Sequence, residues 1–180
     1  MSNLEIKIQK TELAKQLEES LKIKWELEQQ FPYDAGFDLR ACIDRAITLL
    51  PTGHTAIPTG IHVEFSKPNW EMQIRPRSGL AAEHGVTVLN TPGTVDFGYR
   101  KEIQVILYNC DVYDGFHIKP GDRIAQACFR EIPQVSFTYV DAVSETINIE
   151  DDAVKSVSLA DEMKRKLSLK RGGLGSTGNQ

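Results

Sequence analysis

Cysteine is scarce in this sequence: Cys42, Cys110 and Cys128 are the only three. They lie far apart, without the paired spacing of a zinc site, and an odd number of thiols suits a reducing compartment better than a disulfide scaffold. All three read as small core residues. No apolar run approaches the roughly 20 residues that span a bilayer. The opening segment, MSNLEIKIQK, lacks the apolar stretch of a secretory signal. A cytoplasmic protein is expected, or in a eukaryote a nuclear one as well. Positive charge is not in excess either, the formal net charge being −4. Tight binding to a nucleic-acid polymer rests largely on Lys and Arg neutralising many phosphates, so neither nucleic acid nor membrane is an expected partner. A small anionic ligand needs only a few clustered cations, and Arg75, Arg77, Lys170 and Arg171 are candidates.

What is present is ordinary for one globular domain: 180 residues, 41% hydrophobic and 26% charged. Leu4, Ile6 and Ile8 alternate with polar residues, which predicts a strand with one buried face. From Thr11 to about Gln29 the chain is rich in helix formers. Thr11 is a suitable N-cap, and Leu13, Leu17 and Leu21 recur at helical spacing, so a helix over about 11–29 is predicted, ended by Phe31-Pro32.

Between Ala35 and about Val140 the texture changes to short, often alternating runs. Ile61, Val63 and Phe65 face one way, as do Met72 and Ile74, and Ile103, Val105 and Leu107. Gly- and Pro-containing turns at 51–53, 58–60, 90–93 and 119–122 separate them, and such spacing predicts a sandwich, jelly roll or barrel. Residues 147–168 read as an acidic stretch followed by a short polar helix with Val154, Val157 and Leu159 inward. A glycine-rich tail, 169–180, follows what reads as a single domain over 1–168. Four glycines in seven residues suit a packed core poorly, since glycine has the most ordering entropy to lose. That leaves a frayed terminus or an arm that orders over a ligand.

Five segments carry chemistry: DAGFDLRA (34–41), RPRSGLAAEHG (75–85), NTPGTVDFGYRKEI (90–103), GDRIAQ (121–126) and GGLGSTG (172–178). In the second, Arg77, Ser78 and the amides around Gly79 can converge on phosphate oxygens. In the third, Asp96 follows a Pro-Gly turn, where a carboxylate can accept a proton from water and aim its lone pair at phosphorus. A tight hairpin over Leu89 to Asp96, including Thr94, would offer backbone groups to the edge of a base.

In this order and spacing the five segments resemble the motifs of the trimeric dUTPase family. The resemblance implies an all-β, distorted jelly-roll or barrel fold, a homotrimer with shared active sites, and Mg²⁺-assisted hydrolysis of dUTP to dUMP and pyrophosphate. That reaction keeps uracil out of DNA and supplies dUMP for dTMP synthesis. It implies Asp96 as the catalytic base for attack at the α-phosphorus, and Ser78, Arg77 and Gln126 as phosphate contacts. Asn90 would belong to the uracil wall and Tyr99 would pack under deoxyribose and exclude a 2′-hydroxyl. Asp38 would stand near the metal through water, with Asp122 and Arg123 as buttresses. In the arm, Gly175, Ser176 and Thr177 would wrap the β- and γ-phosphates. Here the sequence departs from the family: Leu174 stands where a stacking Phe is usual, and the arm arginine is replaced in register by Leu169, so that Lys170 or, preferably, Arg171 supplies the charge. Gly98 also replaces a common Asp. The helix near the start and the segment before the arm have no place in the minimal fold, as lid supports, trimer decoration or a partner surface.

Two alternatives carry weight. A dCTP deaminase shares the resemblance to RSGLA but needs a carboxylate on the strand after the third motif, where this chain has Ile106. A non-catalytic dUTP-binding or regulatory protein would not require Ser78, Asp96, Tyr99 and Gln126 together.

Overall fold

The computed structural model describes residues 4–142. The alternating segments all become strands, and the described chain is mostly β. In order it runs β1 (Ile6–Lys10), α1 (Glu12–Leu21), β2 (Phe37–Arg40), β3 (Ile47–Leu49), β4 (His54–Pro58), β5 (Ile61–Phe65), β6 (Trp70–Arg75), α2 (Ser78–His84), β7 (Val86–Val88), β8 (Gly93–Val95), β9 (Gln104–Asn109), β10 (Phe116–Ile118) and β11 (Arg123–Glu131). All of these lie within Met1–Gln134, a compact unit. Of the unit that follows, Val135–Gln180, residues 135–142 are described and form no helix or strand. The 147–168 segment, with the short helix expected in it, and the 169–180 arm lie outside the described residues.

A four-stranded antiparallel sheet has the order β2-β11-β6-β8, and a three-stranded one the order β4-β9-β7. Two ribbons, β1-β5 and β10-β3, complete the set. The arrangement is jelly-roll-like, and the sheets do not close into a barrel. Period-two burial makes the layers adhere. Ile61, Val63 and Phe65 are buried, as are Met72 and Ile74, and Ile103, Val105 and Leu107; they join Ile57, Val86, Val88 and Leu39 in one core. A bulge between Arg123 and Ala125 lets Ile124 and Ala125 both turn inward while Arg123 stays out.

Four sequence expectations are corrected. Helix α1 begins as predicted, Thr11 Oγ1 accepting the Ala14 N–H at 3.3 Å, but ends at Leu21 rather than near Gln29. Lys22 turns into the left-handed region (φ 53°), and Ile23, Trp25 and Leu27 then alternate inward with Lys24, Glu26 and Glu28. Trp25 decides this: it is buried, and its Nε1–H donates to the Thr59 carbonyl at 2.9 Å. Strand β1 forms, yet Ile6 is only half-buried and Ile8 is exposed, because β1 is the outer strand of the β1-β5 ribbon while Ile61, Val63 and Phe65 of β5 take the core. Cys42 and Cys128 are core residues, whereas Cys110 is exposed just past the end of β9. Finally, Leu89 to Asp96 is not a hairpin. β7 pairs with β9 and β8 with β6, so the chain turns a corner from one sheet to the other through Asn90-Thr91-Pro92, with the Thr91–Pro92 peptide cis.

No helix among the described residues is long and apolar enough to cross a membrane.

Candidate active site

Asp38 lies midway along β2, opposite Gln126 of β11, and Gln126 in turn lies opposite Arg75 at the end of β6. Beyond Arg75, Pro76 stops the strand and Arg77 caps the seven-residue helix α2, whose first residues are Ser78 and Gly79. That helix was not read from the sequence. Its signal was the run of helix formers Leu80-Ala81-Ala82-Glu83 ended by Gly85, which takes the left-handed conformation at φ 62°.

These elements enclose a cleft of about 420 Å³ lined by Asp38, Arg77, Ser78, Gly79 and Gln126, with Gln30, Asp34, Ala35 and Gly36 forming the other wall. Three segments widely separated in sequence thus meet at one place. Gln126 is held by donating its Nε2–H to the Pro76 carbonyl at 2.7 Å. Nothing stands within 4 Å of where a Gly79 side chain would begin, so the cleft floor is bare backbone. Gln30, Asp34 and Gly36 were not singled out from sequence; only their closeness to Asp38 could have suggested them.

Asp38 is the electrostatic centre. Arg77 Nε donates to Oδ1 at 3.1 Å and Arg123 Nη1 to Oδ2 at 3.0 Å, while Arg77 Nη1 also donates to the Arg123 carbonyl at 3.2 Å. The Asp38 side chain is only 17% exposed and Arg77 23%, whereas Arg123 is 42% exposed. One carboxylate therefore faces two guanidiniums, and with Asp34 in the opposite wall the carboxylates and guanidiniums around the cleft balance. Asp122 closes a turn, accepting the Lys119 N–H at 2.8 Å.

Among the described residues there is no group of three or more His, Cys, Asp or Glu side chains arranged to hold a metal ion. Both Asp38 oxygens already hold a guanidinium, though each keeps a second lone pair for water. This donor set fits an ion carried on phosphate oxygens and reached through water, which is how Mg²⁺ prefers to be held.

The remaining candidates stand elsewhere. Asn90 sits at the corner between β7 and β8, its amide against Gly93, where a Cβ would come 3.1 Å from Asn90 Nδ2. Thr94 is exposed on β8 opposite Gln73. Asp96 is exposed one residue past β8, its backbone carbonyl accepting the Tyr99 N–H at 3.0 Å, and no described residue bonds its carboxylate. Tyr99 is partly exposed and donates its hydroxyl to the Glu102 carbonyl at 3.1 Å. Arg100 ties this turn by donating to the Phe97 and Tyr99 carbonyls.

Asp96 follows Val95, which pairs with Met72, whereas Asp38 lies across β11 from Arg75. Three strand spacings of about 4.8 Å and four residues of about 3.3 Å separate Asp38 and Asp96 by on the order of 20 Å. The two groups occupy opposite edges of one sheet. Arg171, Leu174, Gly175, Ser176 and Thr177 lie outside the described residues.

Fold and site together define a jelly-roll-like β protein with a polar cleft that sets Arg77 and Ser78 against Asp34 and Asp38. The chain belongs to the dUTPase family, whose model matches residues 25–157. The deoxyuridine 5′-triphosphate nucleotidohydrolase of Treponema denticola is 53% identical over 112 residues, 62% of this chain and 76% of that one. That of Helicobacter hepaticus is 48% identical over 118 residues, 66% and 72% of the two chains. Among solved structures, a dUTPase from phage phi11 of S. aureus, described as coordinating a structural Mg(II) ion, superposes with a TM-score of 0.62 at 17% identity, covering 78% of this chain and 98% of that one. EIAV dUTPase gives 0.57 at 24% identity, covering 76% and 97%. At these identities the two structures speak for the fold.

Proposed function

We propose that the protein hydrolyses dUTP to dUMP and pyrophosphate by in-line attack of water at the α-phosphorus. The observation that carries this reading is the convergence of DAGFDL, RPRSGL and GDRIAQ on a single cleft, with Arg77, Ser78, Gly79 and Gln126 facing it. Guanidinium, hydroxyl, amide and bare backbone are the groups that hold a polyphosphate. Asp38 would hold Mg²⁺ through water, and the ion would supply neutralisation of the triphosphate charge. Arg77 is drawn between Asp38 and the phosphates, and Arg123 keeps Asp38 compensated when Arg77 shifts.

Asp96 receives the proton of the attacking water. Its carboxylate is exposed and uncommitted among the described residues, as a base awaiting a water should be. Tyr99 sets the sugar specificity by filling the space of a 2′-hydroxyl, and the Asn90 corner supplies the polar wall for uracil. A site that pairs with uracil leaves polar groups unpaired when cytosine enters, which costs far more than a lost contact. Leu174, Gly175, Ser176 and Thr177, with Arg171, close over the nucleotide.

Because the phosphate-holding cleft lies past the Arg75 end of β6 and the Asp96–Tyr99 turn beyond the other end of the β6-β8 pairing, the two are far apart in one chain, and a complete site needs two copies of the chain. A homotrimer, in which each copy offers one edge to each neighbour, satisfies this with closed symmetry. A deaminase is not favoured: β9 carries Ile106, with no carboxylate to shuttle protons at C4 of a base.

The test is turnover of dUTP, dCTP, dTTP and UTP side by side with Mg²⁺, following pyrophosphate and ammonia. Pyrophosphate from dUTP alone is expected. Ammonia from dCTP would establish the deaminase instead, and no product from any of the four would leave a binding role.

A further inference from the structure

The chain ahead of residue 25 precedes the region matched by the family, yet it is built into the core. Ala14 is fully buried and Leu17 nearly so. The Thr11 N–H donates to the Gly60 carbonyl at 2.8 Å, and a Cβ on Gly60 would stand 2.7 Å from Ala14 Cβ. We infer that the segment from Thr11 to Glu28 positions the phosphate-holding residues from behind, with Leu21 and Ile23 as its positioning residues.

The contacts that argue this converge on the two strands carrying the cleft. Leu21 and Ile23, at and just past the end of α1, lie over Gly121. A Cβ there would be 2.9 Å from Leu21 Cδ1 and 2.9 Å from Ile23 Cδ1, and Gly121 has φ 83°, so the two side chains cover bare backbone in a conformation that glycine accepts. Gly121 is the joint between the strands. Its N–H donates to the Ala41 carbonyl at 2.9 Å, its carbonyl accepts Arg40 Nη1 at 3.0 Å, and the Ala41 N–H donates to the Asp122 carbonyl at 2.8 Å. Two residues on, Arg123 reaches Asp38. The same segment then pins Asp38 itself, whose N–H donates to the Glu28 carbonyl at 3.0 Å, after Trp25 has anchored to Thr59.

A displacement at Gly121 therefore passes to Arg123, to the Asp38 carboxylate and to Arg77, and small misplacements of substrate-holding groups are costly. This inference rests on the dUTPase reading. It says that the segment sets grip on the β- and γ-phosphates, not on the base.

The test compares wild type with Leu21→Ala/Ile23→Ala for binding of a non-hydrolysable imido analogue of dUTP and of dUMP by calorimetry, alongside kinetics with dUTP. Expected are about a tenfold loss of affinity for the triphosphate, less than a twofold loss for dUMP, and a KM for dUTP raised about tenfold with kcat changed less than threefold. The milder Leu21→Ala alone, at a residue already 42% exposed, should show the same triphosphate-specific loss on a smaller scale, and Leu21→Met should restore wild-type binding. Equal losses for both ligands, or unchanged triphosphate affinity in folded variants, would overturn the inference. Failure of the wild-type protein to bind the dUTP analogue would overturn the dUTPase reading instead, and the inference with it.

Discussion

Gln126 occupies the space that Gly36 leaves empty. A Cβ on Gly36 would stand 2.9 Å from Gln126 Cδ and 3.3 Å from its Cβ, and would overlap Oε1 outright. Gln126 cannot yield easily, because its amide is bonded to the Pro76 carbonyl at 2.7 Å and that carbonyl begins the turn into Arg77 and Ser78. Gly36→Ala should therefore push Gln126 out of the cleft and disturb the turn. The expected result is a KM for dUTP raised about tenfold, with stability lowered by about 1–3 kcal/mol as in other overpacked sites, read by steady-state kinetics and chemical denaturation.

Asp96→Asn should leave the fold unchanged, since no described residue bonds the carboxylate. Turnover of dUTP should fall by about 10²–10⁴, the usual contribution of a positioned base, with binding of an imido analogue preserved. Retained turnover would take Asp96 out of its role.

Arg77 lies past the Arg75 end of β6 and Asp96 toward the other end of its neighbour β8, so mixing Arg77→Ala and Asp96→Asn after co-refolding tests the shared site. Each variant alone should be inactive. Random assembly of equal amounts should restore about a quarter of the sites, those pairing an intact phosphate edge with an intact Asp96 edge. A site complete within one chain would give no recovery.

Glu18 links three parts of the N-terminal segment. Its carboxylate accepts Lys10 Nζ at 2.8 Å and the Trp25 N–H at 2.9 Å. The Lys10 ammonium, and then the Trp25 N–H, hold it below its ordinary value of 4.5. A carboxyl depressed in the folded state contributes stability above its ordinary value and loses it as pH falls through the folded value. Between neutrality and pH 5 the Tm difference between wild type and Glu18→Gln should be constant. Below pH 4.5 the wild type should fall more steeply and the two should converge; parallel curves down to pH 3 would show that the pair does not form.

Most of the β architecture was legible because half-buried strands alternate, as Ile61, Val63 and Phe65 do. The end of α1 was not read: Ile23, Trp25 and Leu27 recur at period two, but the surrounding Glu and Lys residues mask the change from helical spacing. The choice of partner was not legible. Val86–Val88 and Gly93–Val95 look like the arms of a hairpin, and only the competition of β9 and β6 for them separates the two. The same holds at the site. Sequence brought out Asp38, Arg77, Ser78 and Gln126 by their motifs, but the Arg123–Asp38 bond joins residues 85 positions apart, and neither motif announces the other's side chain.

Strand β1 lies along β5 from Ile6 opposite Phe65 to Lys10 opposite Ile61. Without it, β5 would present a row of unpaired amides and carbonyls next to buried Ile61, Val63 and Phe65, the kind of rim on which chains aggregate. With it, the rim belongs to a short strand bearing Lys7 and Lys10, with Lys7 paired to Glu64 at 2.8 Å, and charge of this kind discourages further strands from adding. The first ten residues thus bear on solubility, and a chain shortened to the family's own boundary should be lost to inclusion bodies before its kinetics could be compared.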